Sequence, residues 1–237
     1  MASQASVSAQ KFDPARANEY LAQSRIALAG YDACHELSAC MLATVLGSGG
    51  TARILVAGAG GGAREVVIAG ALEPGWRFTA ADPSEPMMEI SVEAVGRAGL
   101  ADRTHIHLGG IDDLPPGPLF DAATLIGVLH HIPGEAAKLD LLHSLASRLK
   151  PGAPLILAGN RNAYASQPVL LGAWGERWRM QGATPEEVQA KLGKILQGAD
   201  PPASEAAVAE LLAAAGFGAP LWFFSSLFWG ACLARRT

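Results

Sequence analysis

Three groups of residues carry the chemistry this sequence could do. The first is the glycine cluster in ILVAGAGGGAREVV, with Gly58, Gly60, Gly61 and Gly62 directly behind an apolar run. Glycines so placed let the backbone turn sharply and let a ligand lie against the main chain, and a following helix start favours an anionic group. Gly58-x-Gly60-x-x-Ala63 satisfies the dinucleotide pattern, so alone it leaves nicotinamide and adenosyl ligands open. The second is Asp82 in AADPSEPM, roughly twenty residues further on, where a carboxylate can accept hydrogen bonds from both hydroxyls of a ribose. Its structural alternative, a helix cap, suits Ser84 better.

The third group is polar residues set among alanines and leucines. His130 and His131 in GVLHHI are an acid–base pair by type, although histidines there also serve as packing between a strand and its helix. Asn160, Arg161, Asn162 and Tyr164 follow a later strand, either touching a substrate or forming a polar loop. Tyr31, with Tyr20 behind it, offers an aromatic face for a cation. Trp174 and Trp178, interleaved with Arg177 and Arg179, fall at helical spacing, which means packing unless the helix lies over a pocket. His105 and His107 alternate along a strand, one in and one out.

These residues need a scaffold. Short apolar runs at 54–57, 78–81, 105–108, 122–128 and 154–158 alternate with amphipathic patterns at 63–72, 85–98 and 135–149. That rhythm predicts βαβ units and a doubly wound, mostly parallel α/β sheet. Two helical patterns precede it over 14–46, broken at Gly30, with Pro14 in a first turn. Two more over 163–202, the second opening at Thr184-Pro185-Glu186-Glu187, predict an inserted cap. A helix over 204–215 ending at Gly216 and two closing apolar strands, whose stretch LWFFSSLFWGACLA reads as buried, complete the sheet. The expected organisation is a helical segment over 1–50, an α/β core over 51–160, a helical cap over 161–202 and closing elements over 203–237.

With 237 residues, half of them apolar, the chain can bury a sizeable core. A net charge of −4 and no basic stripe argue against nucleic acid as partner. Cys34, Cys40 and Cys232 fit no metal-ligand spacing and, as core thiols, suit a reducing cytoplasm. No run is long enough to span a bilayer, and the N-terminus lacks the order of a signal peptide. The expected partner is a small molecule, with a homodimer compatible.

FDAATLIGVLHHI followed by LKPGAPLIL is the most specific stretch, and with the glycine loop and Asp82 it resembles the class I S-adenosylmethionine-dependent methyltransferases over about residues 50 to 160. The resemblance implies a seven-stranded Rossmann-like fold with Gly58, Ala59 and Gly60 against the methionyl part. Asp82 and Pro83 would lie at the ribose, Gly110, Ile111 and Ile126 around the adenine, and no metal is implied. SRIALAGYDACHEL and the ending are similar to the carboxy-S-adenosylmethionine synthase family, which implies a ligand contact for Tyr31. The sequence departs from that family where its carboxylate-gripping arginine aligns with Glu210, and Gly110 replaces the usual aspartate, with Asp112 nearby.

These observations lead to a methyltransferase with a small, largely apolar acceptor. Tyr31, Asn160 and His130 are the candidate catalytic groups, and Tyr20, Tyr164 and Trp174 the candidate substrate pocket. An alternative is an enzyme that cyclises S-adenosylmethionine to azetidine-2-carboxylate and methylthioadenosine. A further alternative is a non-catalytic binding module. A dehydrogenase is weakened because no second βαβαβ half follows the fourth strand.

Overall fold

The computed structural model describes residues 23–237. Tyr20 and the helix start at Pro14 lie outside the described residues. A helical stretch over 23–27 turns at Gly30, whose φ of 85° is open to glycine, into α1 (Tyr31–Leu46). The core then alternates β1 (Arg53–Ala57), α2 (Arg64–Leu72), β2 (Arg77–Asp82), α3 (Glu85–Arg97), β3 (Thr104–Leu108), β4 (Ala122–Ile126), α4 (Glu135–Arg148) and β5 (Pro154–Asn160). The cap is α5 (Pro168–Met180) and α6 (Pro185–Gly198), followed by α7 (Glu205–Ala214) and the hairpin β6 (Leu221–Ser226) and β7 (Trp229–Arg235).

The seven strands run in the order β3-β2-β1-β4-β5-β7-β6, the first five parallel and β7 antiparallel to both its neighbours. This is the Rossmann-like methyltransferase fold. Alternate residues of each strand feed opposite layers. Ile54 and Val56 pack towards α1 and α2 with Leu42 and Val66, whereas Leu55 joins Leu125, Leu142, Leu145 and Leu212 beneath α4 and α7. Strand order reverses between β1 and β4, so their carboxyl ends open a crevice, where open α/β sheets bind ligands.

Three expectations need correction. The closing apolar stretch forms the two expected strands, paired as a hairpin, but it is not buried throughout. Its β6 is a half-exposed sheet edge, with Leu221 outside, and Phe228 leaves the sheet to pack with Tyr164 and Trp174 under the cap. Cys40 is exposed on α1, unlike the buried Cys34 and Cys232. The fourth strand stops at Ile126 instead of running to Val128, because Gly127 turns the chain at φ 79°.

The second cap helix, α6, opens with a capping box, in which Thr184 Oγ1 accepts the Glu187 N–H and the Glu187 carboxylate accepts the Thr184 N–H. The first, α5, is clasped to the segment before α1. Trp174 Nε1 donates to the Ala27 carbonyl at 2.7 Å, and Arg177 donates to the carbonyls of Ile26 and Arg25.

Candidate active site

The glycine loop leaves β1 with Gly58, Gly61 and Gly62 at φ 72°, 80° and 114°, and Ala63 itself is left-handed at 43°. A Cβ on Gly58 would stand 2.2 Å from the Val128 side chain. One on Gly60 would stand 2.6 Å from Asp82 Oδ2 and 2.7 Å from Met87 Cβ. Bare backbone is therefore required by the protein itself, on the wall of the crevice.

Every amide from Gly58 to Ala63 is already used. Gly58 and Ala59 donate to the Ala81 carbonyl, Gly61 to Met87 and Ala63 to Ala59. Gly60 donates to Asp82 Oδ2 and Gly62 to Ser91 Oγ. A pyrophosphate needs such amides free. The anionic ligand that the loop's spacing allows is thus disfavoured by its hydrogen bonding, and the dinucleotide alternative weakens.

Asp82 ends β2 with both carboxylate oxygens turned to backbone, Oδ1 accepting the Ser84 N–H at 2.8 Å. Ser84 holds the N-cap position of α3 without a side-chain cap bond. Burial raises the Asp82 carboxyl above its ordinary range, against the two N–H groups that lower it. Glu65, in the first turn of α2, is raised likewise by burial, with the His35 ring drawing it down and Asp82 adding to the rise. Among the described residues neither carboxylate has a cation within ion-pair distance. Both line the crevice.

Two joined cavities occupy that crevice. The smaller, of about 190 Å³, runs past Gly58, Asp82, Pro83, Met87, Gly110, Ile111 and Ile126. The larger, of about 400 Å³, extends from Gly58, Gly60 and Ile126 between the cap and α1. Its walls include Tyr31, His35, Glu65, His130, Asn160, Tyr164, Trp174, Trp178 and Trp229.

His130 is buried, its ring 4.2 Å from that of His131 and edge-on to Trp229 at 5.4 Å. Burial, reinforced by the charges of His131 and Lys138, holds it well below 6.5, so the imidazole is neutral at pH 7. Its Nδ1 has no partner among the described residues. Asn160 Nδ2 donates to Tyr164 Oη at 2.7 Å, and its Oδ1 has no partner among the described residues. Burial pushes the Tyr164 phenol up to about 12, which keeps its proton in place.

The structure thus gathers Tyr31, Gly58, Gly60, Asp82, Pro83, Gly110, Ile111, Ile126, His130, Asn160, Tyr164 and Trp174 around one crevice. Ala59 lies between Gly58 and Gly60 with its side chain in the core, so the cavity walls are formed by its two neighbours. Arg161 points to the far side of the sheet, held by Glu205, Ser225 Oγ and the Trp229 carbonyl. Glu210 is exposed on α7, which packs on α4, so it faces no ligand carboxylate. Asp112 is exposed and Gly110 donates to Asp113 instead. Sequence patterning missed His35, Glu65, Trp229, Lys191 and Lys194, since lone residues on helices and a closing strand carry no spacing signal. No group of His, Cys, Asp or Glu able to hold a metal occurs among the described residues.

Residues 55–155 match the family model described as Methyltransferase domain. An uncharacterised protein of Synechococcus sp. is 37% identical over 105 residues, which cover 44% of this chain and 24% of that protein. Among solved structures, an O-methyltransferase family 2 protein from Planctomyces limnophilus, in complex with apigenin, superposes with a TM-score of 0.59 at 19% identity. The match covers 78% of this chain and 50% of that one. The mitomycin 7-O-methyltransferase MmcR gives 0.61 at 23% identity, covering 85% and 54%. Magnesium protoporphyrin IX methyltransferase from Synechocystis PCC 6803, with bound S-adenosylhomocysteine, gives 0.57 at 19% identity, covering 86% and 84%. The chain spans about a quarter of the curated relative and about half of the first of these structures.

Proposed function

We propose that the protein binds S-adenosylmethionine and transfers its methyl group to a small molecule, since residues 55–155 match the methyltransferase-domain model and the chain has the Rossmann-like methyltransferase fold. One observation carries this reading. The crevice offers two half-buried carboxylates with no ion-pair partner among the described residues, beside a loop whose amides are all satisfied. Such a site suits a cationic adenosyl ligand and resists a pyrophosphate.

The residues fit that ligand. Gly58 and Gly60 admit it against bare backbone, Asp82 has lone pairs left for ribose hydroxyls, and Met87, Ile111 and Ile126 form an apolar wall. S-adenosylmethionine supplies an already activated methyl on its sulfonium. The chain's work is then to align an acceptor, exclude water and take up a proton. Tyr31 offers an aromatic wall. His130, neutral at pH 7, can hold a proton at an imidazole nitrogen, and Asn160 Oδ1 can accept an N–H or O–H from a bound molecule.

The larger cavity favours an acceptor over cyclisation of the cofactor. The cavity of about 400 Å³ is shared between the methionyl part at Gly58 and Gly60 and the space out to Trp174 and α6, and it lies within the range for small-molecule ligands, roughly 300–1,000 Å³. A cytoplasmic setting belongs to the same reading, and no helix among the described residues is long and apolar enough to cross a membrane.

The test is calorimetry with S-adenosylmethionine, S-adenosylhomocysteine and NAD, followed by mass spectrometry after incubation with S-adenosylmethionine alone. Binding of the first two but not NAD, with the cofactor left intact, supports methyl transfer. Enzyme-dependent release of methylthioadenosine with an imino acid overturns it in favour of cyclisation.

A further inference from the structure

The larger cavity is electrically lopsided. Glu65 stands at the glycine-loop end, while Lys191 and Lys194 line the wall that α6 contributes. The two lysines are three residues apart and so share one helix face. Lys191 Nζ lies 4.7 Å from the Trp178 ring centroid and 3.3 Å from Gln23 Oε1. Among the described residues, neither lysine has a carboxylate within ion-pair distance. Every other cation lining this cavity is spoken for, since Arg64 pairs with Asp32 at 3.0 Å. Lys191 is half-buried and Lys194 exposed, and neither charge is compensated by a carboxylate among the described residues.

Between the two ends the walls are rings. Tyr164, Trp174, Trp178 and Trp229 flank the space, and Ile195 closes it beside the lysines. Trp174 is anchored by its indole N–H on the Ala27 carbonyl, and the Lys191 ammonium lies against the Trp178 ring on the same cavity wall. Ring walls favour a flat unsaturated body through stacking contacts. An anion at the Glu65 end would meet a carboxylate, and at the α6 end it would meet ammonium groups.

We propose that the acceptor is a flat unsaturated molecule bearing an anionic group, and that Lys191 and Lys194 hold that group. This rests on the larger cavity being the acceptor side of the proposed transferase, and it replaces a largely apolar acceptor with an amphipathic one. The anion is a carboxylate or a phosphate; either would lie at the mouth, with the ring system directed inward towards Asn160 and His130.

The experiment titrates the S-adenosylhomocysteine-loaded protein with three acid–amide pairs: benzoate and benzamide, 2-naphthoate and 2-naphthamide, anthracene-9-carboxylate and its amide. The expected result is at least tenfold tighter binding of the acid in one pair or more. That preference disappears in the Lys191→Gln/Lys194→Gln double variant, persists in the Lys191→Arg/Lys194→Arg variant, and leaves amide and S-adenosylhomocysteine affinities unchanged in both. No acid preference in any pair overturns the proposal, as does a preference that survives the glutamines. A tenfold loss of S-adenosylhomocysteine affinity in the glutamine variant also overturns it, since the lysines would then serve the cofactor's own carboxylate. If the unsubstituted protein fails to bind S-adenosylhomocysteine, the cofactor reading falls instead, and the acid–amide comparison is run on the free protein with the same criteria.

Discussion

Asp82 Oδ2 accepts the Gly60 N–H at 2.9 Å, and a Cβ on Gly60 would stand 2.6 Å from that same oxygen. The carboxylate at the end of β2 and the loop after β1 are thus a single fitted unit, not two neighbouring motifs. Gly60→Ala must displace the carboxylate or the loop. We therefore expect Asp82→Ala to weaken S-adenosylhomocysteine binding at least tenfold, about 1.4 kcal/mol, and Gly60→Ala to do the same. The double variant should lose clearly less than the sum of the two, because both remove one arrangement. Calorimetry on all four proteins checks this. Strictly additive losses would mean that the contact at 2.9 Å does not couple the two residues.

His130 gives the molecule a pH signature. Its folded-state value is depressed by burial, so as pH falls through about 6.5 the unfolded chain takes up the proton before the folded one does. The stability linked to His130 is full above that value and is lost as pH falls towards the depressed one. Urea unfolding at pH 7, 6 and 5 should show a falling midpoint, and His130→Gln should flatten the fall. The remaining histidines are common to both proteins, so the difference isolates this ring. Parallel slopes in the two proteins would contradict the assignment of His130 as buried and neutral.

The sheet was legible from sequence because its signals are local and repeated. Short apolar runs alternating with amphipathic stretches located all five parallel strands, and Asp82 sits at the end of β2 where the sequence placed it. The crevice was legible in part, for a different reason. Gly58, Asp82, Asn160 and Tyr164 belong to strand ends, whose position follows from topology. Glu65, Lys191 and Lys194 reach the same cavity from helices that meet only through tertiary packing, and no spacing announces such a meeting. For Arg161 the sequence leaves both the ligand side and a polar loop open. It adjoins Asn160 in a polar run, yet strand alternation sends it to the opposite face.

That placement makes Arg161 a test of structure without function. Its guanidinium is nearly buried against Glu205, Ser225 Oγ and the Trp229 carbonyl and lies 5.5 Å from the Trp222 ring centroid. Glu205 is half exposed and can rehydrate when the arginine is lost, whereas the Trp229 carbonyl cannot do so easily. Arg161→Ala should cost about 2 kcal/mol of stability and leave S-adenosylhomocysteine affinity within about twofold. Denaturant unfolding and calorimetry read the two effects separately. A stable variant with impaired binding would restore Arg161 to the ligand side.

The junction between the cap and the core rests on Asp200. Its carboxylate accepts from Lys138 Nζ and from the Gly134 N–H, both at 2.7 Å, and its own N–H donates to the His130 carbonyl at 2.7 Å. Lys138 is only 2% exposed and Asp200 54%, so the two partners are not equivalent. Removing the aspartate strands a buried ammonium, whereas removing the lysine frees a carboxylate that water already reaches. Asp200→Ala should therefore cost about 3 kcal/mol, and Lys138→Met, which fills the same space without a charge, should change stability by less than about 1 kcal/mol. Acid should remove the advantage of the native pair. Lys138, and after it the Gly134 N–H, holds the Asp200 carboxyl below its ordinary range, so the stability this group adds is present above about 4 and lost as pH falls through the lowered value. Urea unfolding at pH 7 and pH 3 on the three proteins decides the matter. The gap between the native chain and Asp200→Ala should narrow at the lower pH, and equal costs for the two substitutions at pH 7 would show that the burial of Lys138 is not what makes Asp200 necessary.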